Sequence, residues 1–248
     1  MSRTGCGSQG SGINAVGTQV TVFDGDDTLW FVEPLYDRAR DAARAVVSAC
    51  GFDPVVWEEL ERRIDVDNVA RFGVSRERFP RSCVDAYQQV AAEAGFTPDP
   101  EVVDAVGVAA KQVFEWDAPL AEEVVNVVEQ VKEHGPVVLL TKGDPEVQQM
   151  RIARAQLNEV FDLVMIVPHK ASAEFTTAVE RVGGDLSQAW SIGNSIPSDI
   201  NPALRIGMKA VWVDAHVWEH ERREMIVEAG RMFVASFLRD VPAILRNS

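Results

Sequence analysis

The chain has 248 residues, of which 46% are hydrophobic and 25% are charged, a composition typical of a globular protein with one large domain or a core domain and a smaller companion. Its formal charge of −14 disfavours nucleic acid and anionic membrane surfaces as partners. No apolar run approaches the roughly 20 residues of a membrane span, and the N-terminus lacks the basic-then-apolar order of a signal peptide, so we expect a cytoplasmic protein. Cys6, Cys50 and Cys83 form no CxxC pair and are odd in number, which indicates reduced thiols without an assigned role.

The chain begins with a Gly- and Ser-rich stretch over residues 1–18, which predicts a flexible tail. Short, continuously apolar runs follow it and recur along the chain, at residues 20–23, 137–140, 163–167, 190–192 and 210–213. Continuous apolarity is typical of strands buried on both faces of a parallel sheet. Helical patterns separate the later runs, and one of them begins with Asp144 as its N-cap and Pro145 at its first position. The alternation predicts a doubly wound α/β fold with a mostly parallel sheet.

Residues 33–117 break this alternation, because they contain no convincing strand. They carry four helical patterns, at residues 33–50, 53–64, 76–95 and 99–116. Trp57, Leu60 and Ile64 fall on one helical face, as expected for a small separate core. We therefore predict three regions and two hinges: a tail over 1–18, an α/β core domain over 19–32 and 118–248, an inserted helical cap domain over 33–117, and hinges near 30–33 and 117–119.

A cluster of carboxylates follows the first predicted strand, in the sequence VFDGDDTLW at residues 22–30. Asp24, Asp26 and Asp27 repel one another, and a desolvated carboxylate is unstable without a cation or hydrogen-bond donors. The other predicted strands also lead into polar residues, namely Thr141, Lys170, and the group Asn194, Ser195 and Asp199. Ligands of open α/β sheets bind beyond the carboxyl ends of the strands, so we expect these distant side chains to meet in one crevice.

In this order the residues resemble the haloacid dehalogenase-like superfamily of phosphohydrolases, over residues 20–33 and about 118–215. The first motif of that superfamily, DxDx[TV], is matched by Asp24, Asp26 and Thr28, and its Ser or Thr motif by Thr141. Its lysine motif is matched by Lys170. Its acidic motif, GDxxxD or GDxxxxD, reads here as GNSIPSD, so that Asn194 replaces the first acidic residue and Asp199 is retained. The helical insertion is similar to the cap of that superfamily.

The resemblance implies an Mg²⁺-dependent phosphatase that acts on a small phosphorylated metabolite. It implies that Asp24 is the nucleophile, which forms an aspartyl-phosphate, and that Asp26 is the general acid and base. It also implies two further sets of contacts. The phosphoryl oxygens are held by the Thr141 hydroxyl, Lys170 and the backbone near Gly25, Lys142 and Gly143, and the metal is bound by Asp24, the Asp26 carbonyl, Asn194 and Asp199.

Other functions stay open at this point. Some members of the superfamily displace halide from 2-haloacids, but their first motif lacks the second Asp that Asp26 supplies. A phosphosugar mutase uses the same residues, and a catalytically silent domain that binds a phosphorylated metabolite or a partner protein is the alternative that Asn194 suggests. Taken singly, each motif residue also has an ordinary structural explanation, such as a turn, a helix cap or a surface lysine. Oligomeric state cannot be derived from the sequence.

Overall fold

The computed structural model describes residues 18–214 and 230–248. The predicted tail lies almost entirely outside the described residues. Within them, no helix combines the length and the apolar character that crossing a membrane requires.

The centre of the molecule is a parallel sheet, and the predicted fold class is confirmed. Its six strands are β1 to β6, at Thr21–Phe23, Val137–Lys142, Leu163–Val167, Trp190–Gly193, Lys209–Val213 and Met232–Ala235. They are ordered β3-β2-β1-β4-β5-β6, and every neighbouring pair is parallel. The chain therefore adds strands to one side of β1 and then reverses to the other, which makes the end of β1 a topological switch point.

Helices cover both faces of the sheet. Within β1, Val22 packs on one face and Phe23 on the other, because successive side chains of a strand point in opposite directions. Helices α5 (Val124–Lys132), α6 (Pro145–Arg154) and α9 (Val241–Arg246) pack on the Phe23 face. Helices α7 (Ser172–Arg181) and α8 (Asn201–Arg205) pack on the other. Apolar side chains are packed on both faces, which explains the continuous apolar runs in the sequence.

The predicted helical insertion forms four helices, α1 to α4, at Glu33–Ala49, Pro54–Phe72, Arg78–Glu93 and Pro100–Lys111. They share a hydrophobic core of their own that includes Trp57 and Leu60. Helix α2 continues eight residues beyond the predicted end at residue 64. The prediction stopped there because the buried positions of the last turns, such as Asp65 and Asn68, are polar rather than apolar.

Buried polar side chains connect the helices of the insertion. Glu61 on α2 accepts a hydrogen bond from Arg40 Nε at 2.8 Å, and Asp65 forms an ion pair with Arg78 on α3. The two connections between the insertion and the rest of the chain lie side by side, since the Phe31 N–H donates to the Pro119 carbonyl at 2.8 Å. The open ends of the insertion therefore meet next to the end of β1.

Candidate active site

The turn after β1 places the first two acidic residues. The Asp24 N–H donates to the Ile192 carbonyl at 2.9 Å, which joins the end of β1 to β4. The chain then folds back on itself, and the Leu29 N–H donates to the Gly25 carbonyl at 2.8 Å. A Cβ at Gly25 would lie 2.5 Å from the ring of Trp30 and 3.0 Å from Oγ1 of Thr141, so only glycine fits between them.

Lys170 joins two buried carboxylates. Its Nζ donates to Oδ1 of Asp24 at 2.7 Å and lies 2.5 Å from Oδ1 of Asp199. Burial and the neighbouring Asp199 raise the pKa of Asp24 to about 7, against the lowering effect of Lys170. Burial lowers the pKa of Lys170, but the two carboxylates raise it above its ordinary value. Two carboxylates facing one ammonium group leave a local excess of negative charge.

The motif after β4 meets the same turn. Thr28 Oγ1 lies 3.3 Å from both Oδ2 of Asp24 and Oδ1 of Asn194, and it accepts a hydrogen bond from the Asn194 N–H at 3.1 Å. The second oxygen of Asp199, Oδ2, accepts from the Ser195 N–H at 2.8 Å. The structure thus brings Asn194 and Asp199 to Asp24, as the sequence predicts.

Thr141 ends the apolar part of β2 beside Gly25. Its side chain is fully buried, and its hydroxyl has no hydrogen-bond partner among the described residues. A buried hydroxyl normally has a partner, so this one is suited to an oxygen of a bound ligand. Lys142 reaches across the crevice and donates from Nζ to Ser198 Oγ at 3.2 Å. Its neighbour Gly143 lines the cavity, and its N–H donates to the Val167 carbonyl at 3.1 Å.

Asp26 is held by three side chains that the sequence analysis did not single out. Trp30 Nε1 donates to Oδ1 at 2.6 Å, and Gln148 Nε2 donates to Oδ2 at 2.9 Å. Arg151 Nη1 lies 3.1 Å from both oxygens. Gln148 and Arg151 are three positions apart on α6, which puts them on the same helical face. We call these four side chains the Asp26 cluster.

Arg151 is buried despite its charge. Its exposure is 6%, and its Nη2 makes no hydrogen bond of normal geometry to a described residue. Burial lowers the pKa of this guanidinium, but Asp26 and the nearby Tyr36 hydroxyl raise it above its ordinary value. The Asp26 carboxylate is the anionic partner of this buried, permanently charged arginine.

These groups line a cavity of about 210 Å³ between the sheet and the helical insertion. The insertion contributes Tyr36, Arg78 and Phe114 among others, whereas its polar residues Glu33, Arg71 and Tyr87 do not line it. Tyr87 is buried, and its hydroxyl accepts a hydrogen bond from the Asp99 N–H. An outer cleft of about 960 Å³ between α3, α4 and α6 shares three lining residues with the cavity, namely Arg76, Phe114 and Val147. The cleft therefore adjoins the cavity that contains Asp24.

Asp27 and Asp144 both accept hydrogen bonds from backbone N–H groups, and the N-cap predicted at Asp144 is present. Asp27 Oδ1 accepts from the N–H groups of Val32 and Glu33, at 2.9 and 3.2 Å. Burial and the adjacent Asp26 raise the pKa of Asp27 to about 7. Asp144 caps α6 through the N–H groups of Glu146 and Val147.

The described residues contain no group of three or more His, Cys, Asp or Glu side chains placed to hold a metal ion. The candidate donors are of a mixed kind: carboxylates of Asp24 and Asp199, the amide oxygen of Asn194 and the backbone carbonyl of Asp26. Hard cations such as Mg²⁺ bind oxygen donors of these types and keep several waters. The uncompensated negative charge at Asp24 and Asp199 fits such a cation.

Comparisons with known proteins agree with this geometry. The family model for haloacid dehalogenase-like hydrolases matches residues 18–207. The glyceraldehyde 3-phosphate phosphatase of Methanopyrus kandleri is 27% identical over 201 residues, which cover 78% of this chain and 82% of that protein. The pyrimidine 5'-nucleotidase YjjG of Escherichia coli K12 is 28% identical over 98 residues, 37% of this chain, and the match spans less than half (44%) of the nucleotidase.

Solved structures share the fold. A haloacid dehalogenase-like hydrolase from Xanthomonas campestris superposes with a TM-score of 0.77 at 20% identity, covering 93% of this chain and 96% of that one. A 2-haloacid dehalogenase from Pseudomonas syringae superposes with a TM-score of 0.59 at 20% identity, covering 92% and 98%. The family match over most of the chain, the parallel sheet and the motif residues gathered at its edge lead to one conclusion: the chain belongs to the haloacid dehalogenase-like hydrolase family.

Proposed function

We propose that the protein is a cytoplasmic, Mg²⁺-dependent phosphatase that hydrolyses a small phosphorylated metabolite through an aspartyl-phosphate on Asp24. The observation that carries the proposal is the pairing of Asp24 with Asp26 at the end of β1. Asp24 is buried against Lys170, and Asp26 lies at the cavity wall, about 30% exposed and held by donors. A phosphatase mechanism of this kind needs one carboxylate as the nucleophile and a second as the general acid and base.

In the first half of the proposed reaction, an Asp24 oxygen attacks phosphorus and the bond between phosphorus and the leaving oxygen breaks. Asp26 in its protonated form donates a proton to that oxygen, so that an alcohol rather than an alkoxide departs. Lys170 keeps Asp24 in place and offsets charge on the phosphoryl oxygens, and the Thr141 hydroxyl offers them a hydrogen bond.

In the second half, water attacks the phosphorus of the aspartyl-phosphate and the bond to Asp24 breaks. Asp26, now ionised, takes a proton from that water. Arg151, Gln148 and Trp30 support this step, because all three direct hydrogen-bond donors at the Asp26 carboxylate. A fixed and correctly oriented base is the contribution that such contacts make to catalysis.

Mg²⁺ would be held by Asp24, the Asp26 carbonyl, Asn194 and Asp199, and when bound it supplies positive charge for the transferring phosphoryl oxygens. Asp199 Oδ1 lies 2.5 Å from the Lys170 ammonium and Oδ2 accepts from the Ser195 N–H, so its contribution would come through a bound water. The neutral amide of Asn194 adds a donor without adding repulsion toward an incoming phosphate.

Dehalogenation is the second candidate, because relatives of the same fold include 2-haloacid dehalogenases. Halide leaves without a proton, so that reaction has no use for Asp26 as an acid. The presence of Asp26 beside the cavity therefore favours phosphate-ester hydrolysis. A phosphosugar mutase or a domain without catalysis would keep the same residues near Asp24.

The test is phosphate release from p-nitrophenyl phosphate and a panel of phosphorylated metabolites, in Mg²⁺ and in excess chelator, together with halide release from 2-chloropropionate. We expect phosphate release that depends on Mg²⁺ and is inhibited by vanadate. Halide release without phosphate release would assign the dehalogenase reaction. Transfer of phosphate between sugar positions would assign a mutase, and no turnover of any compound would leave a binding domain.

A further inference from the structure

We infer that Arg151 is the specificity-determining residue of the cavity and that it binds a second anionic group on the substrate, a carboxylate carried by the leaving group. This inference rests on the proposed function and names the class of its substrate: a small phosphate monoester of a hydroxy acid. It starts from the position of Arg151 relative to the two catalytic aspartates.

The position of Asp26 defines the leaving-group side of the site. Asp24 attacks phosphorus, and Asp26 must meet the leaving oxygen on the opposite side of the phosphoryl group. Arg151 lies on helix α6 and contacts both oxygens of Asp26. Asp24 and Lys170, in contrast, meet at the carboxyl ends of the strands. A substrate whose phosphoryl group reaches Asp24 therefore presents its carbon chain to Arg151.

The Arg151 guanidinium has hydrogen-bond donors beyond the one that it directs at Asp26. Nη1 contacts Asp26 and the guanidinium also contacts the Tyr36 hydroxyl, while Nη2 is buried, makes no hydrogen bond of normal geometry to a described residue and belongs to a side chain that lines the cavity. A buried donor without an acceptor costs free energy unless a ligand supplies one. The planar guanidinium fork matches a carboxylate or a phosphate, and both are anions.

The helical insertion adds two more groups to the same end of the cavity. Tyr36 on α1 and Arg78 on α3 both line it, and the charges of Arg78 and Arg151 both act on the Tyr36 hydroxyl. Arg78 is 2% exposed and is oriented by its ion pair with Asp65. Two arginines and a hydroxyl thus face the region that the leaving group would occupy, in a chain whose net charge is −14.

The size of the cavity bears on whether the second anionic group is a carboxylate or a phosphate. Its volume of about 210 Å³ is below the roughly 300–1,000 Å³ of common ligand pockets, so there is room for one phosphoryl group and a short carbon chain. A carboxylate is smaller than a second phosphate and is planar like the guanidinium. We therefore assign the second anionic group as a carboxylate.

The experiment compares two substrates that differ only at the far end. In 3-phosphoglycerate and glycerol 3-phosphate, phosphate leaves from the same kind of primary alcohol, but one ends in a carboxylate and the other in a hydroxymethyl group. Any effect of Arg151 on Asp26 acts on both substrates alike, so the ratio of their kcat/KM values isolates the carboxylate contact. Propane-1,3-diyl bisphosphate, which carries a second phosphate, is the third substrate.

We expect the wild-type protein to prefer 3-phosphoglycerate by about 10- to 100-fold, as for one charge-assisted hydrogen-bond pair. R151M should reduce the ratio to about 1, and R151K should retain part of it. R154M is the matched control, because Arg154 lies one turn further on α6 and does not line the cavity, so the ratio should stay at the wild-type value.

Other outcomes overturn the inference in distinct ways. Equal turnover of 3-phosphoglycerate and glycerol 3-phosphate by the wild type, which needs no variant to fold, would mean that no carboxylate is recognised. A preference for 3-phosphoglycerate that persists in R151M would mean that a residue other than Arg151 binds the carboxylate. A preference for the bisphosphate would mean that the second anionic group is a phosphate rather than a carboxylate. Each of these leaves the proposed phosphatase intact, whereas absence of phosphate release from every substrate, p-nitrophenyl phosphate included, overturns the proposed function itself.

Discussion

Lys170 donates a hydrogen bond of 2.7 Å to Asp24, although 146 positions separate the two residues in the chain. The same ammonium group lies 2.5 Å from Asp199. One buried cation therefore holds together the ends of β1, the loop after β3 and the turn after β4, so Lys170 contributes to folding as well as to the site.

K170M should destabilise the protein by about 3–5 kcal/mol, because it leaves two buried carboxylates without their cation. Denaturant unfolding followed by circular dichroism measures the change. K132M is the matched control, since Lys132 forms an ion pair with Asp162 in which both side chains are more than a third exposed, and its loss should cost about 0–1 kcal/mol. Equal stability of K170M and K132M would contradict the role of Lys170 in folding.

D26N should impair turnover in proportion to the basicity of the leaving group. An alkyl phosphate needs a proton on its departing oxygen, so its kcat should fall by about 10²–10⁴-fold. The p-nitrophenolate of p-nitrophenyl phosphate leaves without protonation, so the fall in kcat for that substrate should be distinctly smaller. D185N, which alters an exposed capping aspartate far from the cavity, should leave both rates unchanged. An equal loss for both substrates would remove Asp26 from the acid role.

N194D should lower the Mg²⁺ concentration that gives half-maximal activity. The substitution turns a neutral oxygen donor into a carboxylate beside Asp24 and Asp199, which strengthens cation binding but increases repulsion toward the phosphate. Mg²⁺ titration of phosphate release, with KM measured at saturating metal, separates the two effects. An unchanged titration curve would place Asn194 outside the metal site.

Two glycines should respond to alanine in opposite ways. A Cβ at Gly193 would overlap the Asp199 carboxylate, so G193A should displace Asp199, lower activity at least tenfold and cost about 1–3 kcal/mol. Gly107, inside helix α4, has only an ordinary contact with Val84, so G107A should stabilise the protein by about 0.5–1 kcal/mol without changing activity. Thermal unfolding and phosphatase assays compare the two variants. Similar behaviour of both would contradict the close packing behind Asp199.

The sequence was sufficient to predict the sheet and most of the site. Buried parallel strands leave continuous apolar runs, and the residues that follow them meet by topology alone, which is why Thr141 and Lys170 could be placed beside Asp24. Strand β6 was missed because it is only four residues long and partly exposed at the sheet edge. Helix α5, at residues 124–132, was missed although its buried valines at 124, 127, 128 and 131 follow helical spacing; β-branched residues disfavour helices and no side chain caps it, which obscured the pattern.

The Asp26 cluster was missed for a different reason. Gln148 and Arg151 look like residues of a solvated helix face, since charged and amide side chains are usually exposed. Their spacing of three positions, directly after a strand that carries the Thr141 motif, was the signal available. Their burial depends on how α6 packs over the turn at Trp30, a tertiary relationship that local sequence patterns do not encode.

The central claim is that a phosphoryl group is transferred to Asp24. The most direct measurement is mass spectrometry of acid-quenched enzyme during turnover of p-nitrophenyl phosphate with Mg²⁺, on wild type and D24N. We predict one added phosphoryl group on the wild-type peptide that contains Asp24, and neither modification nor turnover in D24N. Steady phosphate release by D24N at a rate near that of the wild type, or a phosphoryl group carried on another residue, would contradict the account.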